Sequence, residues 1–265
     1  MESAGLFASL PIWWLFAATL VLVLLSVEAG YRRAKHRQRR AVEEGDLEME
    51  APVGAMVGAT LGLLAFLLAF TFGMAADSYH ARKLAVLDEA NAIRTTFLRA
   101  DLISEPHRTE VRKVLRDYVE ERLKWAGEGN SRPVQSARAL LDRLWAQAAA
   151  EGRKNPGLEV VSLFVDSTGT VIKLHEERVM FRERSRIPGA LWAALYVITV
   201  LSLASMGYHG GVAGTTRSPV MVAVAATFSL VIVVIVDLDR PGEGWINVTQ
   251  DAMIDVRNAL AESKP

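Results

Sequence analysis

Residues 53–101 constrain this chain more than any other stretch. They open apolar, from 53 to 76, and continue without a proline into a charged, periodic segment from 77 to 101. At about 1.5 Å per residue the apolar part is roughly 36 Å long as a helix, more than the ~30 Å hydrocarbon core of a bilayer. It predicts a membrane span that runs on as an extramembrane helix. In its first half Gly54, Gly58 and Gly62 recur at every fourth residue. A bare stripe of this kind lets another helix backbone approach where lipid supplies no hydrophobic drive for association. Phe66 and Phe70 continue the stripe with large rings. Beyond Ala76, the residues Val86, Ala90, Ile93, Phe97 and Ala100 form the seam of a packed helix. Beside it runs a stripe of Leu84, Leu87, Asn91, Arg94, Leu98 and Asp101 that turns polar along its length. An unpaired charge in a packed interface is costly, so this stripe faces a wet interior, carries bonded polar pairs, or is a solvated flank.

Half the chain is apolar, and the apolar residues gather in blocks at 15–25, 53–76, 191–206 and 220–236 that almost lack charge. That pattern is an integral membrane protein. The expected class is all-α, a polytopic membrane helix bundle with four transmembrane helices and an extramembrane helical region continuous with spans two and three. The layout expected is a first span at 1–29, a basic-then-acidic loop at 30–52, and a second span at 53–76. The extramembrane helical region follows at 77–187, then a third span at 188–207, a short loop at 208–217, a fourth span at 218–236, and an acidic turn with a C-terminal tail at 237–265. Cysteine is absent, which excludes disulfides, thiolate catalysis and cysteine metal sites. Formal net charge is zero, so no strongly charged partner follows from the total.

Only Glu2 is charged before the first apolar block, whereas Arg32, Arg33, Lys35, Arg37, Arg39 and Arg40 follow it. A span with that flank reads as a retained anchor with its basic side in the cytoplasm, rather than a cleaved signal peptide. Trp13 and Trp14 mark the opposite interface. Juxtamembrane basic runs also attract anionic lipid headgroups, and this explains the cluster better than nucleic acid does. The orientation places a multi-pass protein in the cell membrane with its helical region on the non-cytoplasmic side. Arg178, Arg182, Arg184 and Arg186, at the entrance to the third span, pull the other way.

Within the helical region, Ser104 and Pro106 suggest a helix start, with Val111, Leu115, Tyr118, Val119 and Leu123 on one face before a break at Gly127, Gly129 and Asn130. Pro133 restarts a helix carrying Val134, Ala137, Leu141, Leu144 and Trp145. Residues 158–185 allow a hairpin, but Val161, Val165, Thr168, Ile172, His175 and Val179 keep a helical stripe, which favours one long helix. Gly210, Gly211 and Gly214 suggest a flexible turn between the last two spans, and the tail after Trp245 a weakly amphipathic surface segment.

Little here suggests chemistry. His36, His80, His107, His175 and His209 are scattered, and His175 beside Glu176 and Glu177 reads as a solvated charged helix. Asp237 and Asp239 form an acidic boundary turn, short of the six to eight oxygens calcium takes. No phosphate-cradling loop, nucleophile elbow or dinucleotide fingerprint occurs. The expectation is a non-enzyme with no cofactor, no metal and no nucleic-acid partner.

Three stretches resemble a bacterial membrane family known as bestrophin-like: 64–79, the run Glu89 to Ile93 with 94–102, and Asp237 to Pro241 with Gly244. The order of four spans with a helical insert between the second and third is also similar. Bestrophins are pentameric anion channels whose second helices line the pore. The resemblance therefore implies an oligomeric ion pore, anion-selective, with Phe66 and Phe70 at its constriction and Asn91, Arg94 and Arg99 in a polar vestibule. Its partners would be membrane lipids, further copies of the chain and an inorganic ion. Bestrophins keep the helical region in the cytoplasm, the reverse of the orientation read from the basic loop. The competing expectation is a membrane-anchored sensor or scaffold whose helical region binds a partner.

Overall fold

The computed structural model of the protein describes residues 11–44, 53–127, 132–183, 186–214, 219–240 and 244–262. Regular structure among them is entirely helical: α1 (Ile12–Glu44), α2 (Val53–Arg99), α3 (His107–Gly127), α4 (Arg132–Lys154), α5 (Glu159–Glu183), α6 (Gly189–Val212), α7 (Pro219–Asp239) and α8 (Asp251–Glu262), with a 3-10 turn at Ala100–Leu102. This is the all-α class expected, and α1, α2, α6 and α7 are each long and apolar enough to cross a bilayer. The expectations placed on Glu2, the acidic residues 45–50, Gly129, Asn130, Arg184, and residues 241–243 lie outside the described residues.

The chain divides into two compact units. The first comprises α1, α2 as far as Asp77, α6, α7 and the segment 244–246. Glycines make its closest seam, between α1 and α6. A Cβ on Gly30 would fall 1.9 Å from the Ala204 carbonyl oxygen, one on Gly207 would fall 2.0 Å from that of Val27, and one on Gly211 would fall 2.6 Å from Cβ of Ala34. Any side chain there would push two backbones apart, and in lipid it is close packing that holds helices together.

These glycines correct the expected boundaries. Gly30 does not open a loop, because α1 continues to Glu44; Gly210 and Gly211 do not form a turn, because α6 continues to Val212. The chain leaves α6 only at Gly214, whose φ of 67° is a left-handed conformation open to glycine. Gln38 Nε2 donates to the Val212 carbonyl at 3.0 Å and so occupies one of the acceptors a helix end leaves open. α2 buries Val57, Leu64, Leu68, Thr71 and Ala75 on one face, and Ser202 donates to its Thr60 carbonyl at 3.1 Å.

The second unit comprises α2 from Ser78, the 3-10 turn, α3, α4, α5 and α8. Every residue of the predicted α2 seam, Val86, Ala90, Ile93, Phe97 and Ala100, is buried. Most of the seam shares a core with Leu115 and Tyr118 of α3, Leu144 of α4 and Phe164 of α5. α5 is one continuous helix, which excludes the hairpin alternative. Trp145 is exposed and does not belong to the apolar face assigned to it.

Ser104 does not cap α3. Its hydroxyl donates to the Glu151 carboxylate at 2.9 Å, and the Thr109 N–H is taken by the Glu105 carboxylate at 3.3 Å. The tail also departs from expectation, since α8 inserts Met253, Val256 and Leu260 into the core. Arg116 Nε donates to the Leu260 carbonyl at 3.0 Å. Each such apolar burial contributes about 1.5–3 kcal/mol, which a surface segment would forgo.

α2 itself is unbroken at Asp77. It runs for 47 residues, about 70 Å, of which a bilayer core needs only some 20.

Candidate functional site

The face of α2 opposite its buried stripe is open. Phe66 and Phe70 are 66% and 55% exposed, and around Gly58 and Gly62 nothing lies within 4 Å of where a Cβ would be. Gly54 is closer to a neighbour, its Cβ position lying 3.3 Å from the His209 ring. Among the described residues the glycine stripe thus makes no tight helix contact at Gly58 and Gly62. Each four-residue step overshoots a helical turn by about 40°, so between Gly58 and Phe70 the stripe swings through roughly 120°. Gly58 and Phe70 therefore face different directions from one helix.

Further along α2, Leu84, Leu87, Asn91, Arg94 and Leu98 are all exposed, as is Asp101 in the 3-10 turn that follows. Asn91 and Arg94 make no hydrogen bond or ion pair among the described residues. Arg99 is engaged, its Nη1 donating to the Leu163 carbonyl at 2.7 Å, and Asp101 accepts from Arg112 at 3.0 Å.

Inside the helical unit lies a polar cluster that sequence reasoning missed. Glu89 of α2 is fully buried and accepts from Tyr118 Oη at 2.5 Å, from Arg122 at 3.0 Å and from Arg178. Burial alone would raise the Glu89 carboxyl. The charges of Arg122 and Arg178, with hydrogen bonds from Tyr118 and Arg178, overcome burial and hold its pKa down at about 2. Burial and the Glu89 charge together push the Tyr118 phenol well above its ordinary value. The single phenolic proton goes to the carboxylate, which can only accept, so Tyr118 Oη must in turn accept from Nδ1–H of His175, 2.9 Å away.

That fixes His175 as the neutral Nδ1–H tautomer, with Nε2 buried and without a hydrogen-bond partner among the described residues. Burial, then the Arg122 charge, lowers the His175 pKa to about 4. The guanidinium of Arg122 lies 4.3 Å from the Trp125 ring centre, and Arg178 Nη2 donates to Gln250 Oε1 at 3.0 Å. Glu89, two arginines and a neutral His175 together carry a formal charge of +1. The cluster ties α2, α3, α5 and the approach to α8 together.

Two earlier expectations change as a result. His175 is buried rather than solvated, and Arg178 is a core ion-pair partner rather than a charge flanking the third span. The i, i+4 pair Tyr118 and Arg122 and the i, i+3 pair His175 and Arg178 were visible signals, since each places two polar groups on one helix face.

Asp237 and Asp239, expected in a turn, belong to the last turn of α7 and are buried. Asp237 accepts the Trp245 and Ile246 N–H groups at 3.1 and 2.9 Å, and Asp239 accepts that of Ile187 at 2.9 Å. A Cβ on Gly244 would fall 2.0 Å from Asp237 Oδ1, so only glycine lets the chain fold back on this carboxylate. Among the described residues no group of three or more His, Asp or Glu is placed to hold a metal ion.

The chain matches the model of the bestrophin-like domain over residues 16–253. No curated protein matches it at a significant level. Among solved structures it is similar to a variant of a bacterial bestrophin homologue from Klebsiella pneumoniae, at 11% identity and a TM-score of 0.66, covering 95% of this chain and 98% of that one. A membrane protein variant at 14% identity has the same TM-score, with 96% and 99% covered. At such identities the likeness shows the fold, and the domain match, spanning nearly all of the sequence, shows the family: this chain belongs to the bestrophin-like family of membrane proteins.

Proposed function

We propose that the protein is a homo-oligomeric ion channel of the cell membrane, with α2 lining an axial, anion-selective pore. The observation that carries this reading is the α2 face left open in a single chain, in a fold shared with a bestrophin homologue. A neighbouring copy covers Gly58 and Gly62, where backbones can approach closely. The rotation of the stripe then turns Phe66 and Phe70 toward the axis, where their rings constrict the passage. Asn91 and Arg94 form a polar vestibule, and the exposed Arg94 guanidinium favours anions; Arg99 borders it with its guanidinium held by Leu163. Asp237 and Asp239 act as structural acceptors for backbone N–H groups. Conduction of this kind needs no catalytic group, no cofactor and no bound metal.

We read residues 31–40 as cytoplasmic and the helical unit as lying outside, a reading supported by the basic run that follows the first span. The native chain lacks cysteine, so Ala139→Cys on the exposed side of α4 supplies a single label site. Reaction with an impermeant maleimide in intact cells supports this orientation, and reaction only after lysis reverses it. The channel reading is tested by reconstituting the purified protein into planar bilayers under a chloride gradient. Currents that reverse near the chloride potential support it; a sealed bilayer across a range of pH and calcium concentrations refutes it.

A further inference from the structure

Helix α1 is 33 residues long, well beyond the ~20 needed to cross a bilayer. Trp13 and Trp14, both exposed, lie near its start, and Arg32 follows about 28 Å farther along the axis, one hydrocarbon thickness away. The basic residues are therefore carried on rigid helix through the headgroup layer and not on a loose loop. Residues 31–40 contain six Arg and Lys and no acid, in a chain whose net charge is zero; the acidic run 43–50 begins only after them.

Among the described residues one side of this extension is packed and the other is open. Toward α6 it presents buried Ala34, in contact range of Gly211, with Gln38 bonded to Val212 and Arg37 Nη1 donating to Tyr208 Oη at 3.1 Å. On the other side Arg32, Arg33, His36, Arg39 and Arg40 are exposed at helical spacing. Glu28 accepts from Arg32 at 2.6 Å, whereas Arg33, Arg39 and Arg40 have no partner among the described residues. From Arg33 to Arg40 the stripe covers about 10 Å of rise; Arg33 starts within a headgroup layer roughly 5–8 Å deep, and the long side chains of Arg39 and Arg40 reach back to it from just beyond. A guanidinium presents a planar fork of donors that matches phosphate oxygens in pairs.

We propose that this outer face of α1 is a docking surface for the phosphate of anionic phospholipid headgroups, with Arg33, Arg39 and Arg40 as the binding side chains. The lipid, and not a soluble phosphate, is the occupant because the face lies at headgroup depth beside an apolar helix that the acyl chains already cover. Each arginine contributes a factor of roughly five in lipid association, and the three together roughly a hundredfold.

The full-length protein in detergent, given equal phosphatidylglycerol and phosphatidylcholine, is examined by native mass spectrometry. Wild type should retain phosphatidylglycerol selectively. Arg33→Gln, Arg39→Gln and Arg40→Gln combined should lose that preference about a hundredfold, and the matched Arg→Lys triple should keep most of it. Removing equal charge from the helical unit, with Lys83→Gln, Arg153→Gln and Lys173→Gln, should leave it unchanged. Equal retention of both lipids by wild type, an equal loss in the helical-unit variant, or displacement of phosphatidylglycerol by millimolar inorganic phosphate would each overturn the proposal. Thermal unfolding in phosphatidylcholine alone should be the same for all variants, because the substituted side chains are exposed.

Discussion

The carboxylate of Glu89 and the phenol of Tyr118 meet at 2.5 Å in the interior of the helical unit, a contact that orders everything around it. Tyr118 spends its proton on Glu89, His175 must donate to Tyr118, and Arg122 and Arg178 balance the carboxylate from the other side. Removing one partner from a buried ion pair typically costs 3–5 kcal/mol, because the remaining charge stays desolvated. Glu89→Ala should therefore lower stability by about that much, and Glu89→Gln should not rescue it, since two guanidiniums remain buried. Tyr118→Phe, which removes the hydroxyl's two hydrogen bonds but leaves Glu89 its two arginines, should cost about 1–3 kcal/mol. Thermal unfolding of the detergent-solubilised protein, followed by circular dichroism, checks the order; an unaffected Glu89→Ala protein would mean that the cluster does not hold the unit together.

Acid should act on the same cluster in two stages. His175 has a folded pKa of about 4 against an ordinary 6.5, so the unfolded chain takes up that proton first as pH falls. Its stabilising contribution is complete above pH 6.5 and is lost on the way down to about 4. Glu89, held at about 2 against 4.5, contributes fully above 4.5 and loses its contribution as pH falls toward 2. The groups that act on His175 are Arg122, Glu89, Glu176 and Arg138, and only its own proton enters in the upper window. Stability measured against pH should be level above neutrality, decline from about 6.5, and continue to decline at a similar slope toward about 2 as Glu89 takes over from His175. His175→Gln should flatten the upper stage alone.

Two sets of glycines should behave oppositely. Gly207→Ala places a Cβ 2.0 Å from the Val27 carbonyl and Gly30→Ala one 1.9 Å from that of Ala204, so either should sharply reduce the yield of folded protein. Gly58→Leu and Gly62→Leu meet nothing within 4 Å inside the chain and should leave the yield of folded chain unchanged. If a second copy covers that face, these two should shift the assembly toward monomer in size-exclusion chromatography with light scattering. An assembly of unchanged mass would place the contact between copies elsewhere.

Membrane architecture was legible in the sequence because hydropathy is a property of a continuous stretch; the α2 seam was legible because Val86, Ala90, Ile93, Phe97 and Ala100 repeat at helical spacing. Helix ends were not. Gly30, Gly210 and Gly211 carry the residue type of a turn, and only the position of the other helix shows that they serve contact instead. The buried cluster was hidden for a related reason. Glu89, Tyr118, Arg122, His175 and Arg178 come from three helices; Tyr118 reads as part of an apolar face and the charged residues as surface ones until tertiary packing brings them together. The tail misled because α8 has few inward residues, with Met253, Val256 and Leu260 buried and Ala252 packed beside them, and gains its order from the core it joins.

The pore itself can be tested on α2. If Phe66 and Phe70 form the constriction, replacing either ring by alanine widens the narrowest point and removes an apolar barrier to a hydrated ion, so single-channel conductance should rise several-fold. Arg94 acts on sign rather than width: it is exposed and unpaired among the described residues, so its charge is available to a passing ion. Arg94→Glu should move the reversal potential in a salt gradient toward the cation value with little change in conductance, while Arg99→Gln, whose guanidinium is already bound to Leu163, should move it less. The two readouts separate the roles, because a ring deletion that altered selectivity but not conductance would assign Phe66 and Phe70 to packing between copies. Unchanged currents in all of these variants would take α2 out of the conduction path.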